Sequence, residues 1–291
     1  MKLLIAVDSA LSTEVLVRAV MMQPWPDGTT VNVLSVVVDA EVPDEVWREE
    51  GYGTRAVRRE MKRRGEQITA LSVDRLGEVG IPAEVLVTRG DARHLIPFFA
   101  RKWSSDVIFL GAHVIKSLEH WMLGSVARAV VASAPCSVQI VRDQRNDRAD
   151  NHTGRRVLLA TDGSETSAEA ARAIAGRLWP DGSEFRVISV EEPWAIKPSK
   201  VREEKEAHDT VSDAKEVLVS AGLKPTGAVL SGNTRGAILK DAKEWSADLI
   251  FVGSHGRRGF KRFLLGSVSE GVAMDAHCSV VVVRGRRMTE T

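Results

Sequence analysis

The sequence predicts an α/β fold of two tandem, doubly wound domains, each with a parallel sheet and helices on both faces. Two observations carry this prediction. Short β-rich runs alternate with amphipathic helical segments along the chain, which is the pattern of a parallel sheet covered by helices. The same blocks also occur twice, because residues 103–113 (WSSDVIFLGAH) return as residues 245–255 (WSADLIFVGSH).

The repeat defines the expected domains. Residues 123–142 return as residues 265–284 at an offset of 142, whereas WPDG at 25–28 returns at 179–182, an offset of 154. The first half therefore carries about 12 extra residues, which lie between Val37 and Val87. We expect a first domain over residues 1–143, a polar linker over 144–154 and a second domain over 155–286. Two like domains on one chain form an intramolecular pseudo-dimer.

Each element is placed on its local pattern, with strands on short β-rich runs and helices on longer amphipathic segments. In the first half we predict strands at 2–7, 31–38, 83–88, 106–110 and 137–141, and helices at 12–22, 55–79, 92–102 and 126–132. In the second half we predict strands at 156–160, 185–190, 226–230, 248–252 and 279–283, and helices at 165–178, 200–221, 234–244 and 268–275.

Composition limits the partners. Lysine and arginine (40) nearly balance aspartate and glutamate (39), which argues against a nucleic-acid binder that relies on net charge. Apolar runs such as residues 31–38 are far shorter than the ~18–20 residues of a membrane span. Asp8 interrupts the apolar start of the chain too early for a signal-peptide core. We therefore expect no nucleic-acid partner, no membrane partner and a cytoplasmic location.

The two cysteines, Cys136 and Cys278, occupy equivalent repeat positions at the start of the last strand of each half. One thiol per domain at a buried strand indicates reduced, structural cysteines rather than a disulfide or a redox pair. The seven histidines are scattered and the cysteines lack metal-ligand spacing, so we predict no metal site.

A basic run at residues 58–64, RREMKRR, lies in the extra segment of the first half. Helical spacing places its cations on one side of a helix, with Glu60 and Glu66 interspersed. We interpret this run as a solvated helix face, and a docking surface for a partner protein is the alternative.

Residues 253–267, GSHGRRGFKRFLLGS, carry the pattern that best indicates a function. Two glycines three residues apart follow an apolar run, and a Gly–Ser pair opens the next helical segment: Gly253, Gly256, Gly266 and Ser267. Glycines let backbone N–H groups face an anion without an obstructing Cβ, and a helix start adds positive potential. Such a loop at the carboxyl edge of a parallel sheet indicates a phosphate site, and hence a nucleotide site.

The spacing G-x2-G-x9-G-S resembles the ATP-binding motif of the universal stress protein family. The resemblance covers nearly the whole chain, twice, and includes Asp162 after the first strand, the SGN turn at 231–233 and the closing CSVVVVR at 278–284. It implies an adenine nucleotide alpha hydrolase-like, Rossmann-like domain with five parallel strands. It also implies ATP or AMP as ligand, with or without Mg²⁺, a role in stress survival through regulatory protein partners, and a dimer whose last strands pair. Further association into a homodimer of tandem chains stays open.

The resemblance assigns a nucleotide site in the second half to the positions Ala160, Asp162, Val190, Gly253, His255, Gly256, Arg257, Gly266, Ser267 and Val268. Asp162 would sit by the adenine and ribose, and Val190 would contact the adenine through its backbone. The two loop glycines would line the ribose and phosphates, with His255 near the sugar. The helix start would donate N–H groups to the phosphates. Arg257 and Arg258 would neutralise phosphate charge, and the alternative is that they are solvated loop arginines. For His255 the alternative is a polar turn histidine with no ligand contact.

The first half departs from this motif. Gly111, Gly124 and Ser125 keep the spacing, but Val114 replaces the middle glycine, and the arginine pair becomes Ile115 and Lys116. Because a β-branched residue resists positive φ and places a Cβ where backbone should meet ligand, we expect the first half to bind nucleotide weakly or not at all. A small anion at the helix start, or a tolerated loop variation, is the alternative.

Catalytic motifs are missing from the sequence: it has no G-x-S-x-G, H-E-x-x-H or GxxxxGK[ST] pattern, and DSALS and DGSET replace the SGGxDS loop of adenylating enzymes. The first hypothesis is a nucleotide-binding regulatory protein that senses ATP or AMP. A slow ATPase, with Asp162 helping to hold a Mg²⁺-bound phosphate chain, is the second. A scaffold with a vestigial site is the third.

Overall fold

The computed structural model describes residues 1–37, 54–115, 120–143, 154–192, 200–256 and 265–285. Within these residues the strands are β1 (Lys2–Val7), β2 (Thr30–Val37), β3 (Ala83–Arg89), β4 (Val107–Gly111), β5 (His113–Ile115), β6 (His120–Met122), β7 (Ser137–Val141), β8 (Arg156–Ala160), β9 (Glu184–Glu191), β10 (Pro225–Ser231), β11 (Leu249–Gly253) and β12 (Ser279–Val283). The helices are α1 (Ala10–Met21), α2 (Thr54–Glu78), α3 (Ala92–Lys102), α4 (Ser125–Ser133), α5 (Glu165–Ala175), α6 (Lys200–Ser220), α7 (Thr234–Glu244) and α8 (Ser267–Asp275).

Ten of these strands form one sheet in the order β10-β9-β8-β11-β12-β7-β4-β1-β2-β3. Each half contributes five parallel strands, and the two halves meet where β12 pairs with β7 in the antiparallel sense, with Val280 opposite Ile140. The predicted fold and the pairing of the last strands are therefore confirmed. In each half the direction of winding reverses beside the first strand, between β1 and β4 and between β8 and β11, and this reversal creates a crevice at the carboxyl edge.

The inner strands are largely buried on both faces, as their apolar runs require, whereas the edge strands β3 and β10 are half-buried or exposed along their length. One apolar core is shared by the two halves on one face of the sheet, with Leu4, Ile108, Val138, Leu158, Ile250 and Val280 among its members. On the other face each half has its own core, centred on Phe109 in the first and Phe251 in the second. A continuous core on one face joins the two domains into one packed unit.

The backbone also ties the halves together in a symmetric way. The Arg142 N–H donates to Ser279 Oγ at 3.1 Å, and the Arg284 N–H donates to Ser137 Oγ at 3.3 Å. Each of these two bonds joins the residue after one last strand to the first residue of the other last strand. The expected intramolecular pseudo-dimer is thus present in the structure.

Predicted bounds agree with the structure to within three residues at each end. The largest difference is at α5, which ends at Ala175 because Gly176 is its C-cap. A hairpin of β5 and β6, with Val114 opposite Trp121, was not predicted and takes up part of the glycine-motif segment of the first half. Val and Trp favour extended backbone, which explains the hairpin where a loop was expected.

Linker residues 144–153 lie outside the described residues, but Gly154 is buried in the second domain. A Cβ on Gly154 would lie 2.3 Å from the carbonyl carbon and oxygen of Gly182, so the end of the predicted linker packs against a turn of this domain. Most of the extra segment of the first half, residues 38–53, is also outside the described residues.

The basic run in α2 is solvated where it is described. Lys62 and Arg63 are exposed and form ion pairs along the helix, with Glu66 at 3.5 Å and Glu60 at 2.7 Å. This arrangement agrees with the predicted solvated helix face. Among the described helices none is both long enough and apolar enough to cross a membrane.

Candidate functional site

The crevice of the second half begins with the turn that follows β8. Ser164 donates its N–H to Asp162 Oδ1 at 3.0 Å, and its own hydroxyl accepts from the Ser167 N–H at 3.3 Å as the N-cap of α5. Gly163 makes the turn possible with φ at +74°, in the left-handed region. These bonds fix Asp162 at the carboxyl edge of the sheet, as predicted.

Gly253, the last residue of β11, lies directly against the first turn of α5. A Cβ at this position would be 2.8 Å from the Thr166 carbonyl carbon and 2.8 Å from the Ser167 nitrogen. The matching residue of the first half, Gly111, has room, since its nearest neighbour would be Ser12 Cβ at 3.5 Å. Close packing against α5 therefore explains the glycine at position 253 without reference to a ligand.

Gly256 lies next to Asp162. A Cβ on Gly256 would approach Asp162 Oδ2 to 2.9 Å, and the residue is exposed on its other side. Its φ is outside the left-handed region, so the expectation that this position requires positive φ was wrong. A side chain at this position would have to displace the Asp162 carboxylate, which the backbone passes closely. Val114, its counterpart, lies in β5 instead.

His255 is held through its backbone. Its carbonyl accepts from Ser164 Oγ at 3.2 Å and from the Thr166 hydroxyl, and its N–H donates to Thr166 Oγ1 at 3.3 Å. Its ring lies half-buried, with Nδ1 2.9 Å from Ser254 Oγ. The predicted polar turn histidine and a position near a sugar are both compatible with this placement.

The two ends of the glycine-rich loop meet. The Gly266 N–H donates to the Ser254 carbonyl at 2.8 Å, which brings the residue before α8 next to the residue after β11. Arg257 and Arg258 lie in this segment, outside the described residues. Because its N–H is bonded to Ser254, Gly266 is not one of the N–H groups that could meet a phosphate.

The start of α8 presents backbone N–H groups that the helix itself does not use. Gly266 is the N-cap, and no side chain caps it among the described residues. The first intrahelical bond runs from the Glu270 N–H to the Gly266 carbonyl at 2.8 Å, so Ser267, Val268 and Ser269 carry N–H groups that have no acceptor within the helix. The Ser269 hydroxyl donates instead to the Gly253 carbonyl at 2.6 Å. Ser267 is exposed.

Ala160 and Val190 complete the edge on the side of β9. Ala160 pairs with Ile188, and Val190 follows two residues later on the same strand, opposite Leu230 of β10. Both residues are half-buried and pack against the shared core, as does Val268 of α8. Contacts join Asp162 to Gly256 and Gly253 to α8, and the turn of Asp162 bonds His255. Gly266, Ser267 and Val268 form the start of α8, while Ala160 and Val190 lie at the carboxyl ends of the neighbouring strands β8 and β9.

Sequence reasoning missed Thr166, which bonds both backbone groups of His255. The repeat held a signal, because Ser12 occupies the same position in the first half and also carries a hydroxyl. There, however, the Ser12 hydroxyl donates to Asp8 Oδ1. The hydroxyls at this position of the repeat therefore have different partners: Thr166 bonds the backbone of His255, whereas Ser12 bonds the Asp8 carboxylate.

The first half keeps one part of the site. Gly124 is the N-cap of α4 without a side-chain cap, and the Arg128 N–H makes the first intrahelical bond to the Gly124 carbonyl at 3.0 Å. The helix start is thus open as in α8, but the hairpin replaces the glycine loop beside it. The weaker nucleotide site expected in the first half stays a prediction.

Comparison with known proteins agrees with the repeat. The model of the universal stress protein family matches residues 1–142 and again residues 154–284. A universal stress protein of Methanocaldococcus jannaschii is 30% identical over 141 residues, which cover 45% of this chain and 82% of that protein. Universal stress protein YxiE of Bacillus subtilis is 30% identical over 145 residues, covering 44% of this chain and 98% of that protein.

A solved structure matches the whole tandem arrangement. The crystal structure of a universal stress protein from Archaeoglobus fulgidus superposes with a TM-score of 0.69 at 21% identity, covering 98% of each chain. At this identity the likeness bears on the fold alone. Together with the two family matches along the sequence, it leads to one conclusion: the chain belongs to the universal stress protein family, with two domains of that family in tandem.

Proposed function

We propose that the protein binds an adenine nucleotide, ATP or AMP, in the crevice of its second domain and acts as a regulatory protein in the stress response. The observation that carries the proposal is the approach of Gly256 to Asp162, where a Cβ would be 2.9 Å from the carboxylate, beside the open start of α8. A side chain at position 256 would crowd the Asp162 carboxylate at this edge of the sheet.

The groups along this edge of the sheet suit the ribose, the adenine and the phosphates of a nucleotide. Asp162 offers carboxylate oxygens that accept from the hydroxyls of a ribose, and Oδ1 is already oriented by the Ser164 N–H. The apolar edge formed by Ala160 and Val190 suits the flat face of an adenine. The open N–H groups of Ser267 and Val268, at the positive end of α8, suit the phosphates.

Mg²⁺ fits the proposal as an ion carried by the phosphates. Among the described residues no group of three or more histidine, cysteine, aspartate or glutamate side chains comes together to hold a metal. Mg²⁺ is commonly bound through one or two carboxylates together with substrate phosphates. Asp162 is the carboxylate at the crevice that could take this part.

The test is a calorimetric titration of nucleotide-free protein with Mg-ATP and with AMP. One site per chain is the expected result, because only the second half has the intact glycine motif. Gly256→Val imports the residue of the first half and displaces Asp162, so we expect affinity to fall by about tenfold or more, which corresponds to at least ~1.4 kcal/mol. Its far-UV circular dichroism stays unchanged because Gly256 is exposed.

Two outcomes would contradict the proposal. Absence of binding by the parent protein at millimolar nucleotide would favour a scaffold. Unchanged affinity in the Gly256→Val variant would place the site elsewhere. Release of ADP that requires Asp162, measured against Asp162→Asn, would add slow hydrolysis to the binding function.

A further inference from the structure

The first domain contacts α8, the helix whose start is proposed to bind the phosphates. The guanidinium of Arg142, the residue after β7, crosses the interface to the end of α8. Its Nη2 donates to the carbonyls of Ala273 at 2.5 Å and Met274 at 3.2 Å, and its Nη1 donates to the Cys278 carbonyl at 3.0 Å. Ala273 and Met274 belong to the last turn of α8, whose carbonyls need partners from outside the helix.

Arg142 is 3% exposed, so this bond set lies inside the protein. Burial lowers the pKa of Arg142 to about 10, which leaves the side chain cationic at neutral pH. A cation at a helix C-terminus interacts favourably with the helix dipole, and a buried one is only weakly screened by salt. Arg142 therefore stabilises α8 in one position, by charge as well as by hydrogen bonds.

Two more contacts from the first domain reach the same helix. Arg128 Nε donates to Glu270 Oε1 at 2.9 Å, on the first turn of α8. Strand β6 of the first-half hairpin also lies against α8. The helix is thus held from the first domain near its start, at its end and along its side.

The reverse contact exists and supplies a control. Arg284 crosses the interface in the other direction, and its Nη2 donates to the carbonyls of Val131 and Ala132, both at 2.8 Å, in the last turn of α4. These positions match those of Arg142 at the repeat offset. The helix held by Arg284 follows the degenerate glycine segment, whereas the helix held by Arg142 follows the intact one.

We propose that Arg142 is a positioning residue for the phosphate end of the nucleotide site of the second domain, so that the first domain sets the affinity of a site to which it contributes no ligand contact. This rests on the proposed function. α8 has nine residues and is ~14 Å long, and a short helix moves as a rigid rod. Loss of its anchor at the C-terminus therefore shifts the N–H groups of Ser267 and Val268 at the other end.

The experiment compares the full-length Arg142→Met and Arg284→Met variants. Each substitution removes a cation and its bonds to the last turn of one helix, and only the first touches α8. Affinity for ATP and for adenosine is measured by calorimetry at a temperature where both variants are folded. We expect Arg142→Met to weaken ATP binding by about fivefold or more. Its affinity for adenosine, which has no phosphates, stays within about twofold of the parent value, and Arg284→Met keeps the parent affinity for both.

If the Arg142→Met variant does not fold, the same affinities are measured on Arg142→Lys, which keeps the charge and loses the forked hydrogen bonds. It is expected to weaken ATP binding in the same direction and to a smaller extent. Equal losses in the variants of Arg142 and Arg284, or equal losses for ATP and adenosine, would overturn the positioning role. A parent protein that fails to bind ATP would instead overturn the proposed function, and the positioning role with it.

Discussion

Arg128 and Glu270 occupy the same position in the two halves of the chain and form an ion pair with each other across the domain interface, with Nε 2.9 Å from Oε1. They are 142 residues apart, which is the offset of the repeat. In a symmetric dimer of identical domains, a residue at this position would face its own copy. Opposite charges are available here because the two halves are covalently joined and differ in sequence.

Reversing one of these charges is expected to destabilise the interface, and reversing both is expected to restore it. Arg128→Glu would place two carboxylates together, and Glu270→Arg two guanidinium groups. The side chains are 56% and 36% exposed, so each single change costs only about 0.2–1 kcal/mol. Chemical unfolding of the parent, both single variants and the double variant gives the coupling energy.

If the double variant loses as much unfolding free energy as the two single variants together, the coupling energy is zero and the ion pair contributes nothing to stability. The coupling should also shrink in high salt, because both side chains reach solvent.

Gly253→Ala is expected to destabilise the protein by about 1–3 kcal/mol, because its new Cβ would overlap the backbone of Thr166 and Ser167. Gly111→Ala is the matched control at the same position of the repeat. Its Cβ would meet only Ser12 Cβ at 3.5 Å and Leu16 Cδ1 at 4.0 Å, which are ordinary contacts. Urea unfolding of both variants measures the difference, and equal losses would contradict the packing role given to Gly253.

The sequence predicted the sheet well because its strands are short β-rich runs that the repeat marks twice. The pairing of β7 with β12 followed from the family resemblance. The hairpin of β5 and β6 could not be foreseen, since the extended preference of Val114 and Trp121 competed with a motif that predicts a loop.

Contacts between distant residues were the part that sequence reasoning could not supply. The repeat shows that Arg142 and Arg284 match, but it does not show that each reaches the other half's last helix. In the same way, the glycine pattern does not reveal that the backbone of Gly256 passes close to the Asp162 carboxylate. Contacts of this kind depend on how the helices and strands pack, and no local pattern in a single sequence predicts them.

Both cysteines are free thiols, and we expect them to be unreactive in the folded protein. Burial is the main cause that raises the pKa of each, Cys136 and Cys278, to about 12. At pH 8 almost no thiolate is present, so a disulfide reagent should modify two thiols per chain only after unfolding in guanidinium.

The same pKa shifts make the folded protein lose stability in alkali. A thiol in the unfolded chain ionises near pH 9, while the folded thiols keep their protons until about pH 12. Between these values the unfolded chain binds fewer protons, so the free energy of unfolding falls as the pH rises. Rapid modification of the native protein at pH 8 would contradict the raised pKa of both thiols.

His277 is expected to make the protein less stable in mild acid. Burial is the main cause that lowers the pKa of its ring, and the nearby cations Lys243 and Arg142 act in the same direction, against Asp248 and a bond to the Ala247 backbone. As the pH falls through about 6.5, the unfolded chain takes up a proton that the folded protein does not. Stability is therefore retained above this pH and lost below it.

The variant His277→Gln keeps a polar side chain and removes the titration at this position. Thermal unfolding of the parent and the variant between pH 8 and pH 5 is the measurement. We expect the melting temperature of the parent to fall more steeply below about pH 6.5 than that of the variant, so that the difference between them changes with pH. Parallel pH profiles would show that the ring has the same pKa in the folded and unfolded chains. Pro135 stands at the matching position of the first half, so the effect arises from the second domain alone.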